Sequence, residues 1–162
     1  MTDEQVLFGG RMMRQILHAS DFSPASAAAF ATAVALAKGR HAELSLLHVL
    51  DPTMPISDGA VSPPTYAALL KSAREHGRKG LARLVARAAK AGVHATPILR
   101  EGPPWSEIVR ASRARGVDLV VIGTHGRTGL SRLLLGSVAS RVIGLARCPV
   151  LTVGARPRSR RR

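Results

Sequence analysis

The chain has 162 residues, of which 46% are hydrophobic and 21% are charged. This length suits one domain, because domains commonly hold about 150 residues, and the composition excludes a chain that is disordered throughout. No apolar run approaches the roughly 18 to 20 residues that cross a bilayer, no secretory leader is evident, and the single cysteine, Cys148, cannot form an internal disulfide. We therefore expect one folded domain in the cytoplasm.

Basic residues outnumber acidic ones by 24 to 10, and the formal net charge is +14. This excess favours anionic partners. The arginine-rich end of the chain can bind nucleic acid weakly and without sequence preference, or it can remain a solvated end. Its arginines are Arg156, Arg158, Arg160, Arg161 and Arg162. We divide the chain into a flexible leader over residues 1–12, a domain over 13–154 and the arginine-rich tail over 155–162.

The domain begins with a short apolar run at residues 16–19, which predicts a buried strand. Ser23 followed by Pro24 predicts the start of a helix, because the hydroxyl can accept a backbone N–H and proline suits the first helical position. The helix is expected to run to about residue 38, with Gly39 as its C-terminal cap. A second strand is predicted over residues 44–50.

A proline-rich, irregular connection is predicted over residues 51–64. After it, apolar residues recur at intervals of three and four over residues 65–91, with basic residues between them. This pattern predicts a long amphipathic helix. Gly77 and Gly80 indicate a kink or a local break in its middle, because glycine costs about 1 kcal/mol relative to alanine inside a helix.

The second half of the domain repeats the alternation of strand and helix. Strands are predicted at 93–99, 118–122 and 149–153, and helices at 103–115 and 137–146. Such alternation predicts an α/β fold, in which a parallel sheet has helices on both faces.

The loop over residues 123–135 is basic, rich in glycine and followed by the predicted fourth helix. A helix N-terminus presents unpaired N–H groups, and glycines let a phosphate approach the backbone. Gly123, Gly126, Gly136 and Ser137 therefore predict an anion cradle, unless the glycines only form turns and Ser137 only caps the helix. Neither GxxxxGK[ST] nor GxGxxG is present, which disfavours P-loop nucleotidases and dinucleotide-binding dehydrogenases.

The spacing Gly123-x2-Gly126-x9-Gly136-Ser137 resembles the nucleotide-binding signature of the universal stress proteins, Gly-x2-Gly-x9-Gly-[Ser/Thr], in every fixed position. Further segments are similar to strands of that family, in the same order along the chain. They are residues 16–23, 46–49, 116–123 and 148–151. The resemblance covers about residues 13–153.

This resemblance implies a flavodoxin-like or Rossmann-like three-layer sandwich, with a five-stranded parallel sheet in spatial order 3-2-1-4-5. Ligands of such sheets bind at the carboxyl ends of the strands, beside the point where the order reverses. The implied ligand is ATP, alone or with Mg²⁺, and the implied assembly is a homodimer paired through the fifth strand. The implied site has Ala19, Asp21 and Val49 around the adenosine, Ile122 beside the base or ribose, and Gly123, His125, Gly126, Gly136, Ser137 and Val138 on the phosphate side.

Two residues near this site have a second interpretation. Asp21 can accept hydrogen bonds from a ribose hydroxyl or an adenine amine, or it can simply cap the first helix. Ala139 stands where some ATP-binding members have a hydroxyl residue, which implies one phosphate or metal contact fewer. The histidines are scattered and predict no metal site.

The sequence therefore predicts a nucleotide-responsive binding protein rather than an enzyme, because no water-activating base or arginine finger is evident. A slow nucleotide hydrolase on the same fold is one alternative. The other is a phosphoacceptor receiver domain, which needs an aspartate after strand three, where this chain has Arg100 and Glu101.

Overall fold

The computed structural model describes residues 13–52, 62–124 and 135–154. Short apolar runs form the strands, and the longer segments between them form helices, in alternation along the chain. None of these described helices is both long and apolar enough to cross a membrane. The elements are β1 (Gln15–Ala19), α1 (Pro24–Arg40), β2 (Glu43–Leu50), α2 (Pro63–Lys90), β3 (Ala95–Glu101), α3 (Pro104–Ala114), β4 (Leu119–Gly123), α4 (Ser137–Leu145) and β5 (Val150–Val153).

The five strands form one sheet in the spatial order β3-β2-β1-β4-β5, and every pairing is parallel. This confirms the predicted parallel α/β fold and strand order. The order is Rossmann-like, being that of the first five strands of a Rossmann sheet, and not flavodoxin-like. A receiver domain has the order 2-1-3-4-5, with β3 in the middle of the sheet. Here β3 lies at an edge, and Glu101 at its end is paired with Arg74. The receiver alternative is therefore wrong.

Each strand contributes to two separate cores, because consecutive side chains point to opposite faces of a sheet. Ile16 packs beneath α1 and α2, whereas Leu17 packs beneath α3 and α4, and both are fully buried. The same alternation holds for Leu46 and Leu47. Helices thus cover both faces of the sheet, and the molecule has the three layers that the sequence predicts.

Two helix boundaries differ from the predictions by two residues, and the other helix boundaries by at most one. α1 continues past Gly39, and His41 adopts the left-handed cap conformation with a φ of 51°. The His41 N–H reaches two carbonyl oxygens of the last turn, which completes the helix without a glycine at that position. α2 begins at Pro63, inside the predicted irregular connection, because the first helical position requires no hydrogen bond from its nitrogen.

The predicted kink in α2 is also wrong, since α2 is one continuous helix of 28 residues. Its two internal glycines have a different cause, which is the close approach of α2 to the turn after β1 at Gly80 and to β2 at Gly77. A Cβ on Gly80 would lie 2.3 Å from the ring of Phe22, and a Cβ on Gly77 would lie 2.9 Å from the ring of His48. Phe22 has a left-handed φ of 63°, and its ring stacks on His48 with centroids 4.4 Å apart.

Gly80→Ala is expected to destabilise the protein by about 1 to 3 kcal/mol, because the new methyl group must displace a packed aromatic ring. Gly39→Ala is the matched control in α1, where nothing lies within 4 Å of the added Cβ. It is expected to be neutral or stabilising by up to about 1 kcal/mol. Urea unfolding measures both variants, and equal changes in the two would contradict the close contact at Gly80.

His18, in the middle of β1, is a fully buried titratable residue. Its Nδ1–H donates to the carbonyl oxygen of Val121 at 3.0 Å, since a carbonyl can only accept. Among the described residues, Nε2 has no hydrogen-bond partner. Burial lowers the pKa of His18 to about 4, although the bond to Val121 and the charge of Asp21 oppose this shift. His18 is therefore a neutral core residue at ordinary pH.

The lowered pKa predicts an acid-dependent loss of stability. Between its unfolded pKa of 6.5 and its folded pKa of about 4, His18 binds a proton only in the unfolded state, so stability falls as the pH falls through this window. The expected contribution is roughly 3 kcal/mol. Urea unfolding of the parent protein and of His18→Leu from pH 7 to pH 4 should show a shallower decline in the variant. Parallel stability curves would contradict this role of His18.

Candidate functional site

The reversal of strand order creates a crevice at the carboxyl end of the sheet. β1 pairs with β2 on one side and with β4 on the other. The chain leaves β1 for α1, which packs on one face of the sheet, and it leaves β4 for α4, which packs on the opposite face. Parallel α/β sheets bind ligands at this kind of position.

Four of the predicted site residues lie together on the face of the sheet that α3 and α4 cover. Ala19 and Ile122 are register partners in the β1–β4 pairing. Ala19, Val49 and Val138 are half-buried and pack against the core cluster that contains Ile122. They form an apolar wall at the carboxyl end of the sheet, to which the half-buried Trp105 is added from α3. Such a wall suits a flat, apolar ring.

Asp21 lies in the turn between β1 and α1. Its Oδ1 accepts the backbone N–H of Ser23 at 3.0 Å, and the Ser23 hydroxyl in turn accepts the N–H of Ser26 at 3.2 Å. Ser23 is therefore the N-cap of α1, as predicted, and Asp21 fixes the turn that precedes it. This bond occupies one carboxylate oxygen of Asp21.

The half-buried Asp21 also borders a cleft of about 430 Å³ that opens towards α2. Its other lining residues are Phe22, Ser23, Pro24, His76 and Arg83. Asp21 is thus at the same end of β1 as Ala19, but the cleft that it lines faces α1 and α2 rather than α3 and α4. His76, Arg83 and Phe22 were not predicted as site residues. Phe22 lies where α2 passes over the turn at Gly80, a contact that the sequence alone does not reveal.

The glycine-rich loop lies between the end of β4 at Gly123 and the N-cap of α4 at Gly136. The Gly136 N–H donates to the carbonyl oxygen of Thr124 at 2.8 Å, so the two ends of the loop are tied together. The Thr124 N–H donates to the carbonyl oxygen of Val153 at 3.0 Å, which anchors this junction to β5. His125 and Gly126 lie outside the described residues.

The start of α4 contradicts the interpretation that Ser137 caps this helix. Gly136 occupies the N-cap position. Ser137 is the first residue of the helix, and its side chain is exposed. No side-chain hydrogen bond caps this helix. The interpretation of Ser137 as a cap is therefore wrong, and its hydroxyl lies on the surface at the helix N-terminus.

Two residues of the signature region have packing roles that account for their small size. A Cβ on Gly123 would lie 3.0 Å from backbone atoms of Ala25 and Ser26, so glycine is needed where the first turn of α1 meets the end of β4. Ala139 is only 3% exposed and packs in the core beneath α4. A side chain at position 139 therefore points into the protein.

An ion-pair cluster around the buried Glu107 borders the apolar wall and was not predicted. Glu107, which is 6% exposed, accepts from Arg110 at 2.6 Å and from Arg100 at 3.2 Å. Arg100 is the register partner of Val49 in the β2–β3 pairing. Gly102, with a φ of 138°, makes room for Glu107, because a Cβ there would lie 3.3 Å from Glu107 Cγ.

The histidines and the cysteine form no metal site in the described chain. No group of three or more His, Cys, Asp and Glu side chains is placed there to hold a metal ion. His48 is buried, and its Nδ1–H donates to the carbonyl oxygen of Ser20 at 2.7 Å. Cys148 is half-buried in the core beneath α4, and burial raises the pKa of its thiol.

The fold and the crevice define a small α/β protein with a ligand position at a topological switch point. The universal stress protein family model matches residues 12–154. A curated relative, universal stress protein YxiE of Bacillus subtilis, is 37% identical over 147 residues, which are 88% of this chain and 99% of that protein. The chain therefore belongs to the universal stress protein family.

Solved structures agree with this assignment. The structure of protein MJ0577 of Methanocaldococcus jannaschii has a TM-score of 0.79 at 28% identity and covers 91% of this chain and 99% of its own. A universal stress protein in complex with cAMP has a TM-score of 0.66 at 22% identity, covering 90% and 99% of the two chains. An Arabidopsis thaliana family member with AMP bound has a TM-score of 0.64 at 20% identity, covering 90% and 97%. At these last two identities the likeness shows a shared fold.

Proposed function

We propose that this chain binds an adenine nucleotide, with ATP as the favoured ligand, in the crevice at the carboxyl ends of β1, β2 and β4. The observation that carries the proposal is the apolar wall of Ala19, Val49, Ile122 and Val138 beside the N-terminus of α4. An adenine ring covers apolar surface, while the phosphates approach the unpaired N–H groups at a helix start. The proposal thus has one subsite for each end of the ligand.

The glycine signature supports the phosphate subsite. Gly123 and Gly136 bring the two ends of the loop together beside the exposed Ser137 hydroxyl. The loop between them includes His125 and Gly126, which the family resemblance assigns to the same subsite. The family members with cAMP and AMP bound also support a nucleotide ligand. A phosphate or Mg²⁺ contact through residue 139 is not part of the proposal, because Ala139 is buried in the core.

We further propose that the chain binds nucleotide without rapid turnover. Hydrolysis needs a group that orients the attacking water and a cation on the transferred phosphoryl group. The described wall residues are apolar, and the Oδ1 atom of Asp21 is used by the turn. Nucleotide occupancy would then act as a signal in a stress-related regulatory role.

Isothermal titration calorimetry with ATP, with and without Mg²⁺, tests the site assignment. We expect the parent protein to bind ATP and Gly126→Val to lose binding, because a branched side chain blocks the approach of phosphate to the backbone. Gly144→Val is the matched control, since nothing lies within 4 Å of a Cβ at that helical position. Absence of binding by the parent, or equal binding by all three proteins, would contradict the proposal.

Asp21→Asn refines the same experiment without breaking the turn, because the amide oxygen can still accept the Ser23 N–H. Weaker ATP binding is expected if the second carboxylate oxygen accepts from the ligand. Asp118→Asn is its control, because the Asp118 carboxylate holds the backbone N–H groups of Arg14 and Gln15 at the opposite end of the sheet. The single tryptophan, Trp105, adds a fluorescence signal beside the wall.

We also propose a homodimer paired through β5. β5 is an edge strand whose four residues are only half-buried, and edge strands offer unpaired backbone groups. Two large apolar residues of the preceding helix, Ile143 and Leu145, are 46% and 45% exposed. A second copy that covers this edge would bury the unpaired backbone groups of β5 together with the side chains of Ile143 and Leu145.

Sedimentation across a concentration series tests the dimer. Ile143→Lys is expected to shift the protein towards the monomer, because it places a charge in the proposed interface. Leu69→Lys is the control, since Leu69 is 56% exposed on α2, away from β5. A parent protein that is monomeric at every concentration would contradict the proposal, and so would equal effects of the two variants.

A further inference from the structure

Helix α2 carries a concentration of positive charge that the nucleotide proposal does not use. Its basic residues are Lys71, Arg74, Arg78, Lys79, Arg83, Arg87 and Lys90, and its one acidic residue is Glu75. All of the basic residues except Arg74 are exposed. The charge belongs to a folded element of the domain, and it is separate from the arginines of the tail.

The two sides of α2 differ in how far this charge is neutralised. On the side that faces β3, Arg74 makes two hydrogen bonds to the Glu101 carboxylate, at 2.6 and 3.0 Å. Arg78 adds to the positive field at the same carboxylate and helps to lower the pKa of Glu101, after the larger effect of Arg74. The β3 side of the helix therefore has an acidic partner.

The other side of α2 has a row of basic residues that we call the α2 row: Lys79, Arg83, Arg87 and Lys90. Their spacing of four, four and three places them on one face of the helix, over a length of about 16 Å. Within the described chain, none of the four forms a salt bridge to a carboxylate. Arg87 lies 4.8 Å over the ring of Phe30, a contact that leaves its charge intact.

The exposed residues of α2 beside the α2 row have small side chains. The other exposed residues from Lys79 to Lys90 are Ala82, Ala86 and Ala89. Small side chains let an extended polyanion approach the helix closely. An anionic membrane would be a poorer partner, because helices that lie on membranes insert tryptophan, phenylalanine or leucine from the face opposite their charges. Here the opposite face, with Leu81 and Leu84, is buried in the core.

We propose that the α2 row is a docking surface for the phosphate backbone of double-stranded nucleic acid. A duplex carries one negative charge per about 1.7 Å of its axis, so a row about 16 Å long meets more phosphates than it has cations. The α2 row has no aromatic side chain for base stacking, and its cations follow one another along the helix as phosphates follow one another along a strand. It would therefore bind the backbone and not read the base sequence.

Fluorescence anisotropy of a short labelled DNA duplex, measured with the full chain over a series of salt concentrations, tests this proposal. The variant Lys79→Gln/Arg83→Gln/Lys90→Gln is expected to reduce the slope of log affinity against log salt concentration by about 2.7, because each lost phosphate contact removes about 0.9. Two unrelated duplex sequences should give the same affinity. A strong preference for one sequence would overturn the backbone-docking proposal.

Two further variants separate docking by α2 from a general charge effect. Lys38→Gln/Arg115→Gln/Arg147→Gln removes the same charge from exposed positions outside α2 and should change the slope by less than about 0.9. Lys79→Arg/Arg83→Lys/Lys90→Arg keeps the charge and should retain the parent slope. Equal losses in the two glutamine variants would overturn the proposal, and so would a lost slope in the charge-preserving variant.

The arginine-rich tail and a membrane provide the two competing explanations. Replacement of all five tail arginines by glutamine is expected to leave the contribution of α2 in place. If that replacement abolished duplex binding while the α2 glutamine variant kept the parent slope, the tail would be the binding element and the proposal would be wrong. Binding to phosphatidylserine vesicles that depends on the α2 row, without duplex binding, would also overturn it.

Discussion

The close packing at the carboxyl end of β1 is the constraint on which the candidate site depends. Phe22 follows Asp21 in a left-handed conformation, and its ring occupies the space that the missing Cβ of Gly80 leaves free. On the other side of the turn, Gly123 lets the first turn of α1 lie against the end of β4. These two contacts hold α2 against the turn after β1 and α1 against the end of β4, at the end of the sheet where the strand order reverses.

Much of this arrangement could be predicted from residue patterns. Apolar runs such as residues 44–50 identified buried strands, and Ser23-Pro24 identified the start of α1, because both signals are local. The strand order came from a family resemblance, since no local pattern contains it. The role of Gly80 could not be read from the chain, because it depends on the ring of Phe22, which is distant in sequence. Glu107 was missed although its partners are near in sequence, because its burial depends on how α3 packs against β3, where its partner Arg100 lies.

The candidate site and α2 suit different partners. The wall of the candidate site is apolar, and the α2 row is exposed, cationic and extended. Arg83 of the α2 row lines the cleft that Asp21 borders, whereas the apolar wall lies on the opposite face of the sheet. A protein of this family with both surfaces could join a small nucleotide and a polyanion on one small domain, and the two interactions can be separated by substitution because different elements supply them.

Hydrogen–deuterium exchange of the backbone amides, with and without saturating ATP, tests the central claim most directly. A nucleotide in the crevice would slow exchange at the carboxyl ends of β1 and β2 and at both ends of the glycine loop, near Gly123 and Gly136. It would leave the amino ends of the strands unchanged. Exchange that is unaffected by ATP, or protection confined to other parts of the molecule, would contradict the account.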